Sequence, residues 1–235
     1  MKKKILLEIA VESLEAAAAA DRGGADRIEL CRDLPVGGLT PDLALIRVVL
    51  QQIHIPIFVM IRPRPGDFVN SADEFTQMKK NIAAAKDAGA SAVVFGILKP
   101  NRVVDIDRTR ELVQLAQPLP VTFHRAFDEC PDLSQALEDV VRAGASRILT
   151  SGGAANAPKG AANIAMLVAA AGERITIVPG AGVHAGNILQ LAAATQALEF
   201  HSGLSSVLPH PPTDYVQFEQ EVRALVEVLS ALGPQ

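Results

Sequence analysis

The stretch GADRIE at residues 24–29 decides the fold, because its glycine can end a helix and the residues behind it can begin a strand. The same phrase recurs as GASAVV at residues 89–94 and as GASRIL at residues 144–149. Glycine is favoured at the left-handed position after a helix, and a short apolar run suits a buried parallel strand. The recurrence indicates that the chain repeats one helix-to-strand unit.

Eight short apolar segments fit the strands of such units, and amphipathic segments lie between them. The predicted strands are Ile5–Ala10, Arg27–Cys31, Ile57–Arg62, Ala92–Gly96, Val121–His124, Arg147–Ser151, Ile175–Val178 and Ala197–His201. The predicted helices are Ser13–Arg22, Pro41–Gln52, Ser71–Ala88, Asp105–Ala116, Leu133–Ala143, Ala161–Ala171, Gly186–Ala194 and Asp214–Leu232. We therefore predict an α/β fold, a closed (β/α)8 TIM barrel, with a doubly wound sheet as the alternative.

Helix starts and chain continuity support this division. Ser71 precedes Glu74 by three residues, the spacing of a capping box, while Ser13 is a plain N-cap and Thr40 before Pro41 is predicted to cap the second helix. No linker interrupts the pattern, so we expect a single domain over residues 1–235 with a C-terminal helix at about 213–232.

The composition limits the partners and the compartment. Of 235 residues, 49% are hydrophobic and 20% are charged, and the formal net charge is -4, so we expect neither nucleic acid nor a membrane as a partner. The two cysteines, Cys31 and Cys130, lack the spacing of a zinc or redox site. The apolar run behind residues 1–4 is broken at Glu8, so we predict no export signal and a cytoplasmic protein.

Alternation along the strands predicts which side chains enter the barrel, and active sites of such barrels lie at the carboxyl ends of the strands. We expect a common cavity at that end to collect Glu8, Glu29, Arg62, His124, Glu199 and His201. Arg62 is the predicted partner of Glu8, because a glutamate inside an apolar strand needs a compensating group. The alternative is a structural ion network that fills the barrel.

The residue types predict two sets of roles. The candidate acids and bases are Glu8, Glu29, His124 and Glu199. The candidate substrate-binding residues are Arg62, Arg64, Asp67, Arg125, Asp128, Ser151, Gly152, Gly180, Gly182 and His201. The arginines and the glycine turns favour a small anion, although surface ion pairs and simple turns would use the same residues. No phosphate-binding loop or GxGxxG motif occurs, so no nucleotide cofactor is expected, and a divalent metal stays open.

The same segments resemble the CutC family of copper homeostasis proteins, over about residues 6–205. The motifs that carry the resemblance are GADRIELC at 24–31, GGLTP at 37–41, IRPR at 61–64, GDF at 66–68, VTFHRAFD at 121–128, LTSGG at 149–153 and EFH at 199–201. The resemblance implies a TIM barrel, a cytosolic homodimer and a role in handling Cu(I). Family members often carry a cysteine where this chain has Ala10, which leaves Cys31 as the hypothetical Cu(I) ligand.

Two hypotheses therefore stand beside each other. In the first, which follows from the resemblance, the protein binds Cu(I) through Cys31, with Cys130 or His201 as further ligands. In the second, which follows from the residues, it is an isomerase, lyase or epimerase that acts on a small anionic or sugar-like substrate by Glu and His acid–base chemistry. The predicted lumen is rich in oxygen and nitrogen donors, which favours the second, and a barrel that serves only as an interaction scaffold ranks last.

Overall fold

Strands and helices alternate along the chain as the repeated phrase predicts. The computed structural model describes residues 4–209 and 211–231. Its strands are β1 (Leu6–Val11), β2 (Arg27–Leu30), β3 (Ile57–Met60), β4 (Ala92–Phe95), β5 (Val121–Phe123), β6 (Arg147–Thr150), β7 (Thr176–Pro179) and β8 (Glu199–Ser202). Its helices are α1 (Leu14–Arg22), α2 (Leu43–Gln52), α3 (Ala72–Ala88), α4 (Ile106–Ala116), α5 (Leu133–Ala143), α6 (Ala161–Ala171), α7 (Ala185–Thr195) and α8 (Tyr215–Ser230).

The strands form a nearly closed parallel barrel, a (β/α)8 TIM barrel. Hydrogen bonds join them in the order β7-β6-β5-β4-β3-β2-β1-β8, so the first strand pairs with both the second and the last. That pairing excludes the doubly wound alternative, in which the first and last strands stay apart. The predicted last helix extends to Leu232, which lies outside the described residues.

Two of the three predicted helix starts are confirmed. Ser71 Oγ accepts from the Glu74 backbone N–H while the Glu74 carboxylate accepts from that of Ser71, a complete capping box. Ser13 Oγ accepts from the backbone N–H of Ala16. Each pairing supplies partners for backbone donors that the first helical turn leaves free.

The prediction for the start of α2 is wrong. The N-cap residue there is Asp42, and Thr40 Oγ1 instead accepts a hydrogen bond of 2.8 Å from the backbone N–H of Arg62. Thr40 therefore fixes the chain just after β3, where a candidate binding residue sits, rather than the helix that follows it.

Side chains on opposite faces of the strands fill two separate regions. The outward-facing ones pack under the helices in the main hydrophobic core, and a smaller apolar cluster lies inside the barrel. The inner cluster consists of Cys31, Phe58, Met60, Ala92 and Val94. Within the described residues, no helix combines the length and the apolar character that a membrane crossing requires.

Candidate functional site

A cavity of about 770 Å³ opens at the carboxyl ends of the strands, where the βα loops form the mouth of the barrel. The predicted residues that line it are Glu29, Arg62, His124, Arg125, Asp128, Gly182 and His201. Met60, Phe68 and Asn156 also line it, and the sequence reasoning gave them no role.

Glu29, on β2, is the buried carboxylate of this cavity. The side chain is almost fully buried, and its Oε1 has no hydrogen-bond partner among the described residues. Burial, together with the nearby charge of Glu8, raises the pKa of Glu29 to about 7, although the positive charge of His201 acts in the opposite direction. A carboxyl group with this pKa exchanges protons near neutral pH, as a general acid or base must.

Glu8 lies beneath the cavity and does not line it, so its expected place at the mouth is wrong. Its predicted pairing is also wrong, because the partner of Glu8 is Arg27 and not Arg62. Arg27 Nε lies 2.5 Å from Glu8 Oε2, and His201 Nδ1 lies 2.7 Å from Glu8 Oε1. Burial alone would raise the pKa of Glu8, but the charge of Arg27 and the hydrogen bond from His201 lower it to about 2.

His201, on β8, lies between Glu8 and Glu29. Its Nε2 is 4.0 Å from Glu29 Oε2, beyond the reach of a direct hydrogen bond. Burial lowers the pKa of His201, but the charge of Glu29 and the hydrogen bond to Glu8 outweigh this and raise it. His201 therefore connects the cavity carboxylate to the ion pair below it.

His124 follows β5 and caps a 3-10 helix that spans Arg125–Glu129. Its Nδ1 accepts a hydrogen bond of 3.2 Å from the backbone N–H of Ala126, which places the proton of the neutral ring on Nε2. Burial and the charge of Arg62 lower the pKa of His124 to about 3. His124 is thus a neutral imidazole with its proton on Nε2, and the residue lines the cavity.

Arg62 follows β3 and carries a buried charge without an anionic partner. Its guanidinium donates to the carbonyl oxygens of Val36, Gly38 and Gly66, and no carboxylate among the described residues forms an ion pair with it. Its Nε is buried and has no hydrogen-bond partner in the part of the chain that the structure describes. A buried charge is unfavourable without compensation, so the Arg62 guanidinium is placed where an opposite charge in the cavity would stabilise it.

Phe68 connects Arg62 and His124. The Arg62 guanidinium carbon lies 4.8 Å from the centre of the Phe68 ring, and the ring centres of Phe68 and His124 are also 4.8 Å apart. The aromatic ring therefore separates a cation from a neutral imidazole at one wall of the cavity, and the cation–π contact orients the guanidinium.

The predicted anion-binding turn at residues 151–153 is already filled by the side chain of Asp128. One Asp128 oxygen accepts from the Gly153 N–H at 3.0 Å and from Thr150 Oγ1 at 2.5 Å. The backbone N–H and Oγ of Ser151 also donate to this carboxylate, and Arg125 Nε lies 2.9 Å from it. The turn thus anchors Asp128, which corrects the assignment of Ser151 to an external anion.

Of the three remaining predicted glycines, two are required by close packing and one lines the cavity. A Cβ on Gly152 would lie 2.6 Å from the carbonyl oxygen of Gly160, and one on Gly180 would lie 2.5 Å from Leu149 Cδ1. Neither of the two lines the cavity, so close packing accounts for both. Gly182 does line it and has a φ of 71°, a conformation that favours glycine.

Arg64 and Asp67 lie outside the cavity lining, in the loop after β3. Arg64 bonds to the carboxylates of Asp67 and Glu74 and to backbone carbonyl oxygens of the same loop, including that of Val69. These contacts hold the loop that carries Arg62 and Phe68, so the placement indicates a supporting role for Arg64 and Asp67.

Glu199 was expected at the mouth, but it is the first residue of β8 and lies toward the amino end of the barrel. It borders a separate pocket of about 380 Å³ there. Arg27 Nη2 and Arg147 Nε lie 2.7 Å and 3.1 Å from its Oε2. Both guanidinium groups also face the Phe58 ring, at 4.8 Å and 5.2 Å from its centre.

The sequence reasoning missed Arg27 and Arg147, although the signal for them was present. Arg27 precedes Glu29 by two residues, so strand alternation turns it toward the lumen as well. Arg147 opens its strand on the same face as Leu149, which touches the cavity. These two arginines supply the compensating charge that was assigned to Arg62.

Cys31 and Cys130 lie in different hydrophobic clusters and do not share a site. The Cys31 thiol donates to the carbonyl oxygen of Val11, and burial raises its pKa well above the usual value. A Cβ placed on Gly38 would lie 3.4 Å from both Cys31 Sγ and Met60 Cε, so two sulfur-bearing side chains meet at that glycine.

One group of described side chains has the spacing of a metal site. Ligand atoms of Glu8, Glu29 and His201 all lie within 4.8 Å of one another. Arg27 already binds Glu8, so a cation at all three would stand next to a guanidinium. The three side chains are therefore better suited to proton exchange than to binding a metal cation.

Comparison with known proteins identifies the family. The sequence profile of the CutC family matches residues 5–206. The chain belongs to the CutC family. A CutC family protein from Xylella fastidiosa is 45% identical over 236 residues, covering 95% of this chain and 88% of that protein. One from Chromobacterium violaceum is 48% identical over 197 residues, covering 84% and 80%.

A solved structure of the CutC family agrees in fold. It is the crystal structure of CutC from Streptococcus agalactiae, a protein that carries a provisional assignment to copper homeostasis. The two chains are 34% identical with a TM-score of 0.81, and the match covers 85% of this chain and 98% of the other.

Proposed function

We propose that this CutC family protein is an enzyme that moves a proton next to a carbonyl group of a small anionic or sugar-like substrate. The observation that carries the proposal is that Glu29 and His124 line the same cavity. Glu29 has a free carboxylate and a pKa of about 7, and His124 is a neutral hydrogen-bond donor. A carboxylate base and a neutral imidazole are a known combination for proton abstraction beside a carbonyl.

The reaction balances without a further reagent. Glu29 takes the proton from the carbon next to the carbonyl, the electron pair of that C–H bond forms a C=C bond, and the π pair of the C=O bond moves onto the oxygen. The resulting enolate oxygen accepts a hydrogen bond from His124 Nε2. In an isomerisation of a hydroxycarbonyl compound, Glu29 returns the proton to the former carbonyl carbon while the hydroxyl proton moves to the enolate oxygen. In an epimerisation, the proton returns to the same carbon on its other face.

Arg62 supports an anionic substrate. Its charge has no carboxylate partner among the described residues, and it lies in the same cavity as His124 and Glu29. The acidic groups Asp128 and Glu129 at the rim disfavour large polyanions, so a small substrate with one anionic group fits the cavity.

The test is hydrogen–deuterium exchange into candidate substrates. Phosphorylated and acidic hydroxycarbonyl compounds are incubated with the protein in D2O, and loss of the α-proton signal is followed by NMR. We expect exchange with at least one compound, and at least a hundredfold loss in Glu29→Gln. Glu173→Gln, at an exposed position, is the matched control.

Thermal shifts test the role of Arg62. A compound that exchanges should raise the melting temperature of the wild type but not that of Arg62→Ala. Failure of every compound to exchange or to bind in an Arg62-dependent way would contradict the enzyme hypothesis.

Copper handling is the second candidate, and the presence of Cys31 and Met60 in one buried cluster, both close to Gly38, favours it. Thiolate and thioether sulfur are the donors that Cu(I) prefers. Competition with a Cu(I) chelator should then show stoichiometric binding that Cys31→Ser abolishes and Met60→Leu weakens, with Cys130→Ser as the matched control. Unchanged binding in Cys31→Ser would exclude this thiolate site.

We propose a cytoplasmic homodimer as the working state. The two unpaired cysteines support a cytoplasmic protein. Exposed apolar residues such as Met166 and Leu189 on α6 and α7 support self-association. Size-exclusion chromatography with light scattering measures the subunit number, and a monomeric mass at micromolar concentration would contradict the dimer.

A further inference from the structure

We infer that the ligand of the cavity is a sugar acid, with its carboxylate near Arg62 and its hydroxyl-bearing carbons against the opposite wall. This inference rests on the proposed function for the reacting end of the substrate and adds the substrate class. It gives a role to Asn156, Ser205 and Ser206, which line the cavity and which the mechanism above leaves unused.

Charged side chains are distributed unevenly around the cavity. Its carboxylates and guanidinium groups come from β2 and from the segments after β3 and β5. The lining residues that follow β6, β7 and β8 are 153–156, 181–183 and 203–206, and none of them is charged. This part of the lining is termed the neutral wall. It favours neutral polar groups of a ligand, because it offers no opposite charge to a second anion.

The neutral wall lies across the barrel from Arg62. In the order of strand pairing, β7 is the fourth strand from β3, so the two strands stand opposite each other in a ring of eight. The Arg62 guanidinium carbon and the centre of the His124 ring, in contrast, each lie 4.8 Å from the centre of the Phe68 ring. The anionic group and the reacting carbonyl therefore bind side by side on one wall, and the rest of the ligand extends toward the other.

Asn156 supplies a hydrogen-bond donor to the neutral wall. Its Oδ1 accepts from the backbone N–H of Lys159 at 3.0 Å, which leaves the amide nitrogen as the group available to a ligand. A Cβ on Gly182 would lie 3.1 Å from Asn156 Cβ and 3.9 Å from its Nδ2. Because Gly182 has no side chain, the space beside the amide stays open to a ligand hydroxyl.

Ser205 and Ser206 add two hydroxyl groups to the same wall. Both residues are exposed, and neither hydroxyl has a hydrogen-bond partner within residues 4–209 and 211–231. A serine hydroxyl both donates and accepts, as a sugar hydroxyl does. The amide and the two hydroxyls therefore match a carbon chain that carries several hydroxyl groups.

The size of the cavity agrees with an extended ligand. Its volume of about 770 Å³ lies in the upper part of the range of small-molecule sites, which is about 300–1,000 Å³. A short acid such as lactate would occupy the wall at Arg62 and leave the neutral wall to water. A hydroxylated chain that reaches this wall gains hydrogen bonds there, and an analogue without hydroxyls is rejected.

Binding of aldonates tests the substrate class without turnover. Gluconate and galactonate carry a carboxylate and a hydroxylated chain but no carbonyl group, and hexanoate has the same chain length without hydroxyls. Isothermal titration calorimetry gives the dissociation constant of each. We expect the wild type to bind at least one aldonate about tenfold more tightly than hexanoate, because the apolar chain leaves the polar groups of the wall unpaired.

Two substitutions remove hydroxyl recognition and keep the anion site. Asn156→Leu has a similar volume but no amide, and Gly182→Ala fills the space beside the amide. Each should lower the preference for the aldonate over hexanoate by about fivefold, while binding of hexanoate does not weaken. Gly89→Ala is the matched control, since Gly89 also has a positive φ, of 98°, and has nothing within 4 Å of an added Cβ. Ser206→Ala, at an exposed position, maintains the test if either variant fails to fold.

Arg62→Ala separates the two ends of the ligand. Binding of the aldonate and of hexanoate should both weaken in this variant, because both carry the carboxylate. Hexanoate that binds as tightly as every aldonate, or a preference that none of the neutral-wall variants lowers, would overturn the inference. Binding of inorganic phosphate that Gly182→Ala abolishes and Arg62→Ala retains would place the anion at the neutral wall and would overturn it as well.

The aldonate preference and the deuterium exchange fail independently. A preference that depends on Asn156, without exchange into any carbonyl compound, would leave the sugar-acid site in place and remove the proposed enzyme. Exchange with short acids, together with equal binding of gluconate, galactonate and hexanoate, would keep the enzyme and overturn the inference.

Discussion

At the amino end of the lumen, each described charged side chain has an ionic partner, whereas at the mouth Glu29 and Arg62 lack a partner of full opposite charge. At the amino end, Arg27 joins Glu8 and Glu199, and Arg147 joins Glu199. Among the described residues at the mouth, the cation nearest to Glu29 is His201, at 4.0 Å, and Arg62 donates to carbonyl oxygens without an ion pair. Position in one barrel therefore separates charges that stabilise the fold from charges available to a ligand.

The difference has a physical reason. A buried ion pair holds its charges in fixed protonation states, as the low pKa of Glu8 and the raised pKa of Arg27 indicate. A buried charge without such a partner destabilises the fold, unless it changes protonation or a ligand compensates it. Glu29 changes its protonation, with a pKa of about 7, and Arg62 lines a cavity in which a ligand would compensate its charge.

Replacing Arg27 should have the largest effect on stability. In Arg27→Met the apolar part of the side chain still covers Phe58, but Glu8 and Glu199 lose their shared guanidinium. Removing one partner of a buried ion pair costs about 3–5 kcal/mol. Urea unfolding at pH 7 measures this loss. A change in unfolding free energy of less than about 1 kcal/mol would show that the fold does not depend on the amino-end ion pairs. The contrast between the amino end and the mouth would then be lost.

Replacing Asp128 should have the next largest effect and sharpens the comparison. Asp128 lies at the mouth, yet hydrogen bonds from Thr150, Ser151 and Gly153 saturate it. Asp128→Ala should cost about 2–3 kcal/mol in urea unfolding, because a donor left buried without an acceptor costs about 1–3 kcal/mol. Ser151→Ala, which removes one hydroxyl donor, should cost less. If Asp128→Ala had no effect on stability, the presence of bonding partners would not explain which charged side chains stabilise the fold and which are available to a ligand.

The sequence predicted the barrel and the inward-facing residues well, because both depend on the spacing of apolar and polar residues within single strands and helices. Strand alternation alone turns Glu8, Glu29 and His201 into the lumen. The position of each residue between the amino end and the mouth of the barrel was harder to predict, since it depends on where its strand begins. The predicted last strand begins at Ala197, whereas β8 begins at Glu199, and this places Glu199 at the amino end.

Partner choice was the part that local patterns could not predict. Glu8 and Arg27 are direct partners in the β1–β2 register, which the sequence does not encode as a motif. The contact of Asp128 with residues 150–153 joins two loops whose conformations depend on the assembled barrel. Both errors concern long-range contacts between elements, whereas the correct predictions concern order within one element.

The pH dependence of stability tests the mouth directly. The pKa of Glu29 is about 7 in the fold and near 4.5 in the unfolded chain, so the folded state binds the extra proton between these values. Its contribution to stability is fully present below pH 4.5 and is lost as the pH rises through 7, with a slope of at most about 1.4 kcal/mol per pH unit.

Glu29→Gln removes the pH-dependent contribution of Glu29 to stability. The stability of the variant relative to the wild type should therefore rise between pH 5 and pH 8, and urea unfolding at both pH values would measure this. His201 contributes in the same direction, because its raised pKa favours the fold at low pH, and Glu29→Gln also reduces this contribution, since the charge of Glu29 is the main cause that raises the pKa of His201. Glu173→Gln is the surface control. A constant difference between wild type and Glu29→Gln across this range would contradict a protonated Glu29 at neutral pH.

Replacing Phe68 should have the smallest effect on stability. Phe68→Leu keeps an apolar side chain in the loop but removes the ring that lies 4.8 Å from the Arg62 guanidinium carbon. A partly exposed cation–π contact contributes about 0.5–1 kcal/mol, so the loss should be of that order. The three carbonyl acceptors of Arg62 stay in place, and the ligand-induced thermal shift should weaken without disappearing. A loss of about 3 kcal/mol would instead make Phe68 a core residue on which the fold depends. The wall between Arg62 and His124 would then be structural, and the unpaired guanidinium alone would have to account for substrate recognition.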